Sequence, residues 1–225
     1  MRRLLILVAI LAGFASLVRH FPLAWAGNVL PDGIATLSGT IWNGQASGVP
    51  LLGDLKVEAG LGSASLSTPS GNVSFSADVA PGGVEDLVLS MPVSQLPTSD
   101  ARLSGLSGRF SLRVDEAQID DGACLSATGT ASTDVLASNR DRFGWAGPAL
   151  SGPVDCVGGR LRVRLSGSDG AQTVGVIITT GLDGVYQSDV TVDTTDPAAG
   201  NALALFGFSP TRDGAYRLAE QGRWR

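Results

Sequence analysis

The chain has 225 residues, 44% of them apolar and 30 of them glycine, so it is long enough to bury a core and favours short strands and tight turns over helices. Its formal net charge is -5; removing Arg2, Arg3 and Arg19 from the 16 basic residues leaves 13 against 21 acidic residues beyond residue 25. A body this acidic excludes a protein that binds nucleic acid through its phosphates.

The longest apolar stretch lies at the N-terminus, where residues 4–18 contain no charge and a second apolar run, 21–26, follows Arg19 and His20. This pattern fits either a signal peptide cleaved at a small-x-small site at 24–26 or an uncleaved helix that spans a membrane. We favour the uncleaved anchor, because cleavage sites rarely carry arginine, histidine and proline just before a tryptophan.

An anchor from about residue 4 to residue 23 forms about 30 Å of helix, which is enough to cross a bilayer. Two arginines and the free amine precede it, against Arg19 and a mostly neutral His20 after it, so the amino end is expected in the cytoplasm. We therefore predict a single-pass protein with its anchor at 1–26 and an exported domain at 27–225, which in a bacterium would lie in the periplasm.

The first strand of that domain is predicted at 37–44. Small polar and apolar residues alternate there with the period of two that a strand requires, which places Leu37, Gly39 and Ile41 on one face and Ser38, Thr40 and Trp42 on the other. Similar alternation predicts strands at 51–57, 64–67 and 72–79, separated by proline and glycine turns. Residues 92–107, with two prolines, are expected to connect two halves of the sheet.

Two later segments, 108–115 and 159–165, share the order Gly-Arg-apolar-polar-apolar-Arg-apolar and predict equivalent strands of a divergent internal repeat. In the second segment Arg160, Arg162 and Arg164 occupy every other position, so they line one face of the strand. We interpret that face as a solvated strand surface, although the same arrangement would also suit a local basic patch.

The C-terminal part continues with a hairpin of strands at 172–180 and 184–192, a helix at about 199–206 and a last strand at 215–222. Asp196 is placed to cap the helix and Gly207 to end it. The whole pattern predicts an all-β fold, in which curved antiparallel sheets are built from hairpins, with one N-terminal transmembrane helix and one short C-terminal helix.

Cys124 and Cys156 are the two cysteines of the chain. In an exported protein such a pair most often forms a disulfide. Here the bond would stabilise the folded state by about 3 to 4 kcal/mol, because it lowers the conformational entropy of the unfolded chain. The two thiols and the single histidine, His20, do not supply the four ligands of a structural zinc site. We expect no metal and no cofactor.

The sequence contains no candidate catalytic centre. His20 lies beside the anchor, so no histidine is available in the body to activate a serine or cysteine. The acidic groups 115–116, 120–121 and Asp189, Asp193 and Asp196 are interpreted as turn residues, where aspartate is common for conformational reasons. An apolar sheet face could still leave a groove for an acyl chain.

Several motifs, in their order along the chain, resemble type II secretion system protein N. They are the proline- and tryptophan-containing exit from the anchor at 21–25, a Gly-Thr-apolar-Trp-x-Gly motif, Cys124, a second cysteine before an alternating strand at 156–165, a leucine-rich helix ending in Phe-Gly at 203–207, and two Asp-Gly-x-Tyr motifs. The signature residues of the resemblance are Gly39, Thr40, Trp42, Gly44, Asp183, Gly184, Tyr186, Asp213, Gly214 and Tyr216.

The resemblance implies a single-pass protein of the bacterial inner membrane with a periplasmic β domain. Such a protein would be an accessory, non-catalytic subunit of the machine that exports folded proteins across the outer membrane. Its expected partners are other secretion subunits of the inner membrane and periplasm, and its expected role is scaffolding by the β domain. A different class of protein shares the architecture: AsmA-like periplasmic proteins bind lipid on long curved sheets that follow one N-terminal helix. Lipid is therefore the alternative ligand.

Overall fold

The structure is a computed structural model that describes residues 36–40, 42–49, 51–60, 62–69, 71–95, 105–143 and 145–223. These residues form one antiparallel sheet of fourteen strands. The strands are β1 (Thr36–Thr40), β2 (Asn43–Val49), β3 (Gly53–Ala59), β4 (Ala64–Ser67), β5 (Ser74–Ala80), β6 (Gly83–Pro92), β7 (Arg109–Asp120), β8 (Ala123–Thr133), β9 (Leu150–Val157), β10 (Arg160–Ser168), β11 (Gln172–Thr180), β12 (Val185–Thr194), β13 (Ser209–Pro210) and β14 (Tyr216–Arg223).

Strand order follows chain order from β1 to β12, so each strand pairs with the next along the chain. The end of the sheet departs from this rule, because β12 pairs with β14 and the short β13 lies outside β14. The helices among the described residues are α1 (Val135–Ser138), α2 (Arg140–Phe143) and α3 (Pro197–Leu205), with a 3-10 turn at Val93–Gln95. The predicted all-β fold built from antiparallel hairpins is confirmed, and so is the helix after β12.

One predicted strand is wrong. Residues 37–44 do not form a continuous strand, because Thr40 pairs with Asn43 and the chain reverses between them. Gly39 has a φ of +82°, and a Cβ on it would lie 2.6 Å from the Asn43 carbonyl oxygen, so this position requires glycine. The alternating pattern is equally compatible with two short strands joined by a tight turn, and periodicity alone does not locate the reversal.

Alternation along each strand gives the sheet two chemically different faces. One face, here called the inner face, is apolar and contains Ala77, Val114, Val154, Val163, Val174 and Val192, all of them buried. Phe110, Leu112 and Val114, at alternate positions of β7, also lie on it. The other face, here called the outer face, carries polar side chains such as Arg162, Thr173 and Asp189.

The connection at 92–107 joins β6 to β7, which lie side by side in the sheet and pair from Gly83↔Gln118 to Pro92↔Arg109. Residues 96–104 of this connection lie outside the described part of the chain. The predicted domain boundaries and the division into two halves remain predictions.

The described residues between β8 and β9, 134–143 and 145–149, contain two one-turn helices, α1 and α2, that the sequence did not predict. Two buried amides hold this segment. The Asn139 side chain accepts the Ser107 N–H at 2.9 Å and donates to the Ser107 and Val135 carbonyl oxygens. The Gln172 side chain accepts from the Trp145 indole and donates to the Ala146 carbonyl oxygen, both at 2.5 Å.

Among the described residues, no helix is long and apolar enough to cross a membrane. The predicted anchor at 1–26 lies outside the described residues.

Candidate interaction surface

Cys124 and Cys156 form a disulfide, as predicted, with their Cα atoms 5.7 Å apart. Cys124 stands at the start of β8 and Cys156 near the end of β9, and an isolated bridge pairs Cys124 with Gly159. The hydrogen-bonded ladder between β8 and β9 runs from Thr133↔Leu150 to Gly129↔Val154. The disulfide links the two strands beyond the Gly129↔Val154 end of this ladder.

The first group of signature residues forms the β1–β2 hairpin. Gly39 pairs with Gly44, and the Thr40 hydroxyl accepts the Asn43 N–H at 3.2 Å. Trp42 lies in the turn. These residues fix where the chain reverses, so their role in the described structure is conformational.

The two Asp-Gly motifs form the same turn. Before β12, Gly181 donates its N–H to the Val185 carbonyl oxygen at 3.0 Å, and Gly184 donates to Gly181 at 3.1 Å. Before β14, Thr211 and Gly214 repeat the pattern, with Thr211 donating to Ala215 at 2.7 Å and Gly214 donating to Thr211 at 3.2 Å. In both turns the glycine has a positive φ, +76° and +85°, as the bulge after a type I turn demands.

The tyrosine of each motif packs against a glycine. The Tyr186 ring lies over its cross-strand partner Gly222, where a Cβ would come within 2.8 Å of the ring. The Tyr216 hydroxyl lies 2.5 Å from where a Cβ on Gly200 of α3 would stand. The Tyr186–Gly222 contact packs β12 against β14, and the Tyr216–Gly200 contact packs α3 against the sheet.

The signature residues are not brought together. The Gly39–Gly44 hairpin lies at the β1 end of the sheet, and the two Asp-Gly turns lie at opposite ends of the β12–β14 ladder, which runs from Val185↔Arg223 to Val192↔Tyr216. Within the described ranges, no three His, Cys, Asp or Glu residues are placed to hold a metal ion. In the part of the chain that the structure describes, the signature residues therefore form separate turns and packing contacts rather than one site.

The arginines of β10 lie on the outer face, as their spacing predicted, and two of them contact one carboxylate. Arg162 binds Asp155 with two bonds of 2.8 and 2.7 Å, and Arg164 adds a third of 2.9 Å. The Arg162 hydrogen bonds are the main cause that holds the pKa of the Asp155 carboxyl below its ordinary value. The solvated strand surface expected here is thus an ion-pair cluster that spans β9 and β10.

A second ion pair, which the sequence did not predict, joins β12 to β14. Arg217 donates to the two Asp189 carboxylate oxygens through its Nε and Nη2 groups, and this contact lowers the pKa of the Asp189 carboxyl. Asp115, Glu116 and Asp189 lie within strands, so their interpretation as turn residues is wrong. The residues around Asp189 in the sequence do not show whether it lies in a turn or in a strand opposite an arginine. The pairing of β12 with β14 shows that it lies in a strand, close to Arg217.

Between these ion pairs lies a shallow depression of about 450 Å³ on the outer face. Its lining includes Arg164, Ile177, Asp189, Thr191 and Arg217, together with Gly175, which pairs with Ser166 and Thr191 and has no side chain. Ile177 is 46% exposed in it. This depression is on the face opposite to the apolar groove considered from the sequence.

The chain matches a family model described as Type II secretion system (T2SS), protein N, over residues 33–219. The match includes every signature residue, both cysteines and all fourteen strands but the last residues of β14. No curated protein and no solved structure matches the chain.

Proposed function

Because the chain belongs to the type II secretion system protein N family, we propose that it is an accessory, non-catalytic subunit of the type II secretion machinery. In this proposal residues 1–26 anchor it in the inner membrane with the amino end in the cytoplasm. The β domain stands in the periplasm and scaffolds neighbouring subunits. The observation that carries the proposal is the family match over residues 33–219.

Two further observations support the periplasmic placement. The Cys124–Cys156 disulfide is of a kind that persists in oxidising compartments and is rare in the cytoplasm. The apolar N-terminal stretch, with more basic residues before than after it, favours export of the part that follows.

A scaffolding role is supported by what the signature residues do. They hold three turns at distant points of the sheet, and the ion pairs Asp155–Arg162 and Asp189–Arg217 tie neighbouring strands. A rigid sheet with such a framework presents extended edges and faces, which are surfaces suited to other proteins.

The experiment is an affinity purification of the tagged full-length chain from the envelope of a bacterium that carries the secretion machine, with identification of the proteins and lipids that accompany it. The matched control keeps residues 1–26 and the tag but replaces 27–225 by an unrelated periplasmic domain. We expect other secretion subunits with the full-length chain and none with the control.

Two results would contradict the proposal. Equal recovery with the control would assign any association to the anchor alone. Lipid bound to the β domain in a fixed ratio, without secretion subunits, would favour the lipid-binding alternative.

A further inference from the structure

Among the described strands, one edge of the sheet is unpaired over most of its length. β14 pairs with β12 over eight consecutive residue pairs, but β13 covers only Tyr216 and Arg217 on its other side. In the described part of the chain no strand pairs with the far side of residues 218–223. Ala219, Glu220, Gln221 and Arg223 are exposed, so this edge is accessible to solvent.

The direction of the backbone groups along this edge follows from the turn before β14. The Ala215 carbonyl accepts the Thr211 N–H, so Ala215 faces β13. Backbone groups of successive residues in an antiparallel strand point alternately to its two sides. The N–H and C=O groups of Ala219, Gln221 and Arg223 therefore point outward, away from β12.

The turn before β12 gives the same result independently. The Val185 carbonyl accepts the Gly181 N–H, so Val185 faces β11 and Tyr186 faces β14. Tyr186 pairs with Gly222, which must then face β12 and leave Gln221 to face outward. Ala219, Gln221 and Arg223 together present six backbone N–H and C=O groups. Because these residues alternate along β14, the groups have the spacing with which a further antiparallel strand would pair.

This edge lacks two of the features that protect natural edges from pairing, proline and a β-bulge. Residues 218–223 contain no proline, and their register with β12 is unbroken by any bulge. The opposite edge, β1, is five residues long and is distorted by the positive φ of Gly39. Residues 1–35, which precede β1 in the sequence, are outside the described part of the chain.

We propose that the outer edge of β14 binds an extended segment of another secretion subunit by strand addition, an inference that rests on the function proposed above. Side chains select the segment. The side chains of Leu218 and Glu220 lie on the inner face of the sheet. Among the described residues, Glu220 forms no ion pair. The partner segment carries an apolar residue opposite Leu218 and a basic residue opposite Glu220, two positions apart.

The test compares two substitutions of one residue in the tagged full-length chain. Gln221→Pro removes an N–H that points outward and leaves the hydrogen bonds to β12 intact, whereas Gln221→Ala shortens the side chain and keeps that N–H. We expect at least a tenfold loss of co-purified secretion subunits for Gln221→Pro, and a change within twofold for Gln221→Ala.

The outcomes separate this inference from the proposed function. If the unsubstituted chain recovers no secretion subunit, the proposed function fails. If it recovers them and Gln221→Pro recovers as many, the strand addition fails and the function stands. Recovery of a differently tagged second copy through this edge, in place of a secretion subunit, also overturns the inference.

Amide hydrogen exchange tests the same edge without a substitution, in case proline unfolds β14. In the full-length chain alone in detergent, the N–H groups of Ala219, Gln221 and Arg223 should exchange fast and those of Leu218 and Glu220 slowly. In the co-purified complex, the three fast groups should slow at least tenfold. Unchanged fast exchange in the complex would overturn the inference.

Discussion

At the scale of single residues, the buried amide of Gln172 holds the segment between β8 and β9 in place. The side chain is 6% exposed, accepts from the buried Trp145 indole and donates to the Ala146 carbonyl oxygen and to Asp169. The hydrogen bond from Gln172 is the main cause that lowers the pKa of the Asp169 carboxyl. One residue at the start of β11 thus fixes the indole, the loop backbone and the turn before the strand.

Substitution of Gln172 by alanine should therefore destabilise the fold. It leaves the Trp145 N–H buried without its acceptor and removes two donated bonds, for which we expect a loss of about 2 to 4 kcal/mol in the free energy of unfolding. Urea denaturation followed by tryptophan fluorescence measures this loss. Gln187→Ala, on an exposed glutamine of β12, is the control and should stay within about 0.5 kcal/mol. Equal losses for both variants would contradict the role of the buried amide.

At the scale of the strands, the pairing of β9 with β10 contains a gap. Val163 pairs with Val154 and Ser166 with Ser151, but no pairs join the residues between them. Pro153 lies in this gap and has no N–H to donate. The Arg164 carbonyl oxygen stands so close to Gly152 that a Cβ on this residue would overlap it. Glycine is required at 152 because two backbones approach each other there.

We expect Gly152→Ala to lower the free energy of unfolding by about 1 to 3 kcal/mol, because a methyl group would force the two strands apart. The matched control is Gly60→Ala, where a Cβ would lie 3.6 Å from the Ser63 carbonyl oxygen, an ordinary contact. Thermal unfolding of the two variants and the parent chain measures the difference. A Gly152→Ala variant as stable as the Gly60→Ala variant would show that the strands separate at no cost.

At the scale of the whole molecule, one disulfide joins the middle of a sheet whose strands are otherwise held by nearest-neighbour pairing. In such a linear arrangement each strand depends mainly on the strand beside it. The bond between β8 and β9 adds a covalent link at residues 124 and 156, and it forms only where the chain meets an oxidising environment. The thiol state therefore reports the compartment of the β domain.

We expect the two cysteines of the full-length chain to resist alkylation when cells are denatured in the presence of a maleimide, and to react after reduction. A chain that begins after residue 26 should stay in the cytoplasm and react without reduction, which gives the matched control. The shift in electrophoretic mobility of the alkylated protein measures both. Free thiols in the full-length chain would contradict the periplasmic placement.

Alternation with a period of two is a local property, and from it the sequence predicted β3, β4, β5, β7, β10, β11, β12 and β14. It did not predict β6, β8, β9 or β13. The hairpin of β11 and β12, the helix after it and the inward residues of β7 follow from patterns within a dozen residues. The prediction of one strand at 37–44 was wrong, because the alternating pattern continues from β1 into β2 without marking the turn between Thr40 and Asn43. Periodicity also missed α1 and α2, which are four residues each and too short to show a helical period.

By itself the sequence determined the fold class, the family resemblance and the disulfide, since each depends on residue types and on their order along the chain. Only the tertiary structure decided which strands are neighbours beyond the hairpins. The placement of β14 beside β12, across α3 and β13, creates the Asp189–Arg217 ion pair, the depression at Gly175 and the open edge at residues 218–223. The physical reason is that these features join residues that are distant in the chain, and local periodicity carries no information about such pairings.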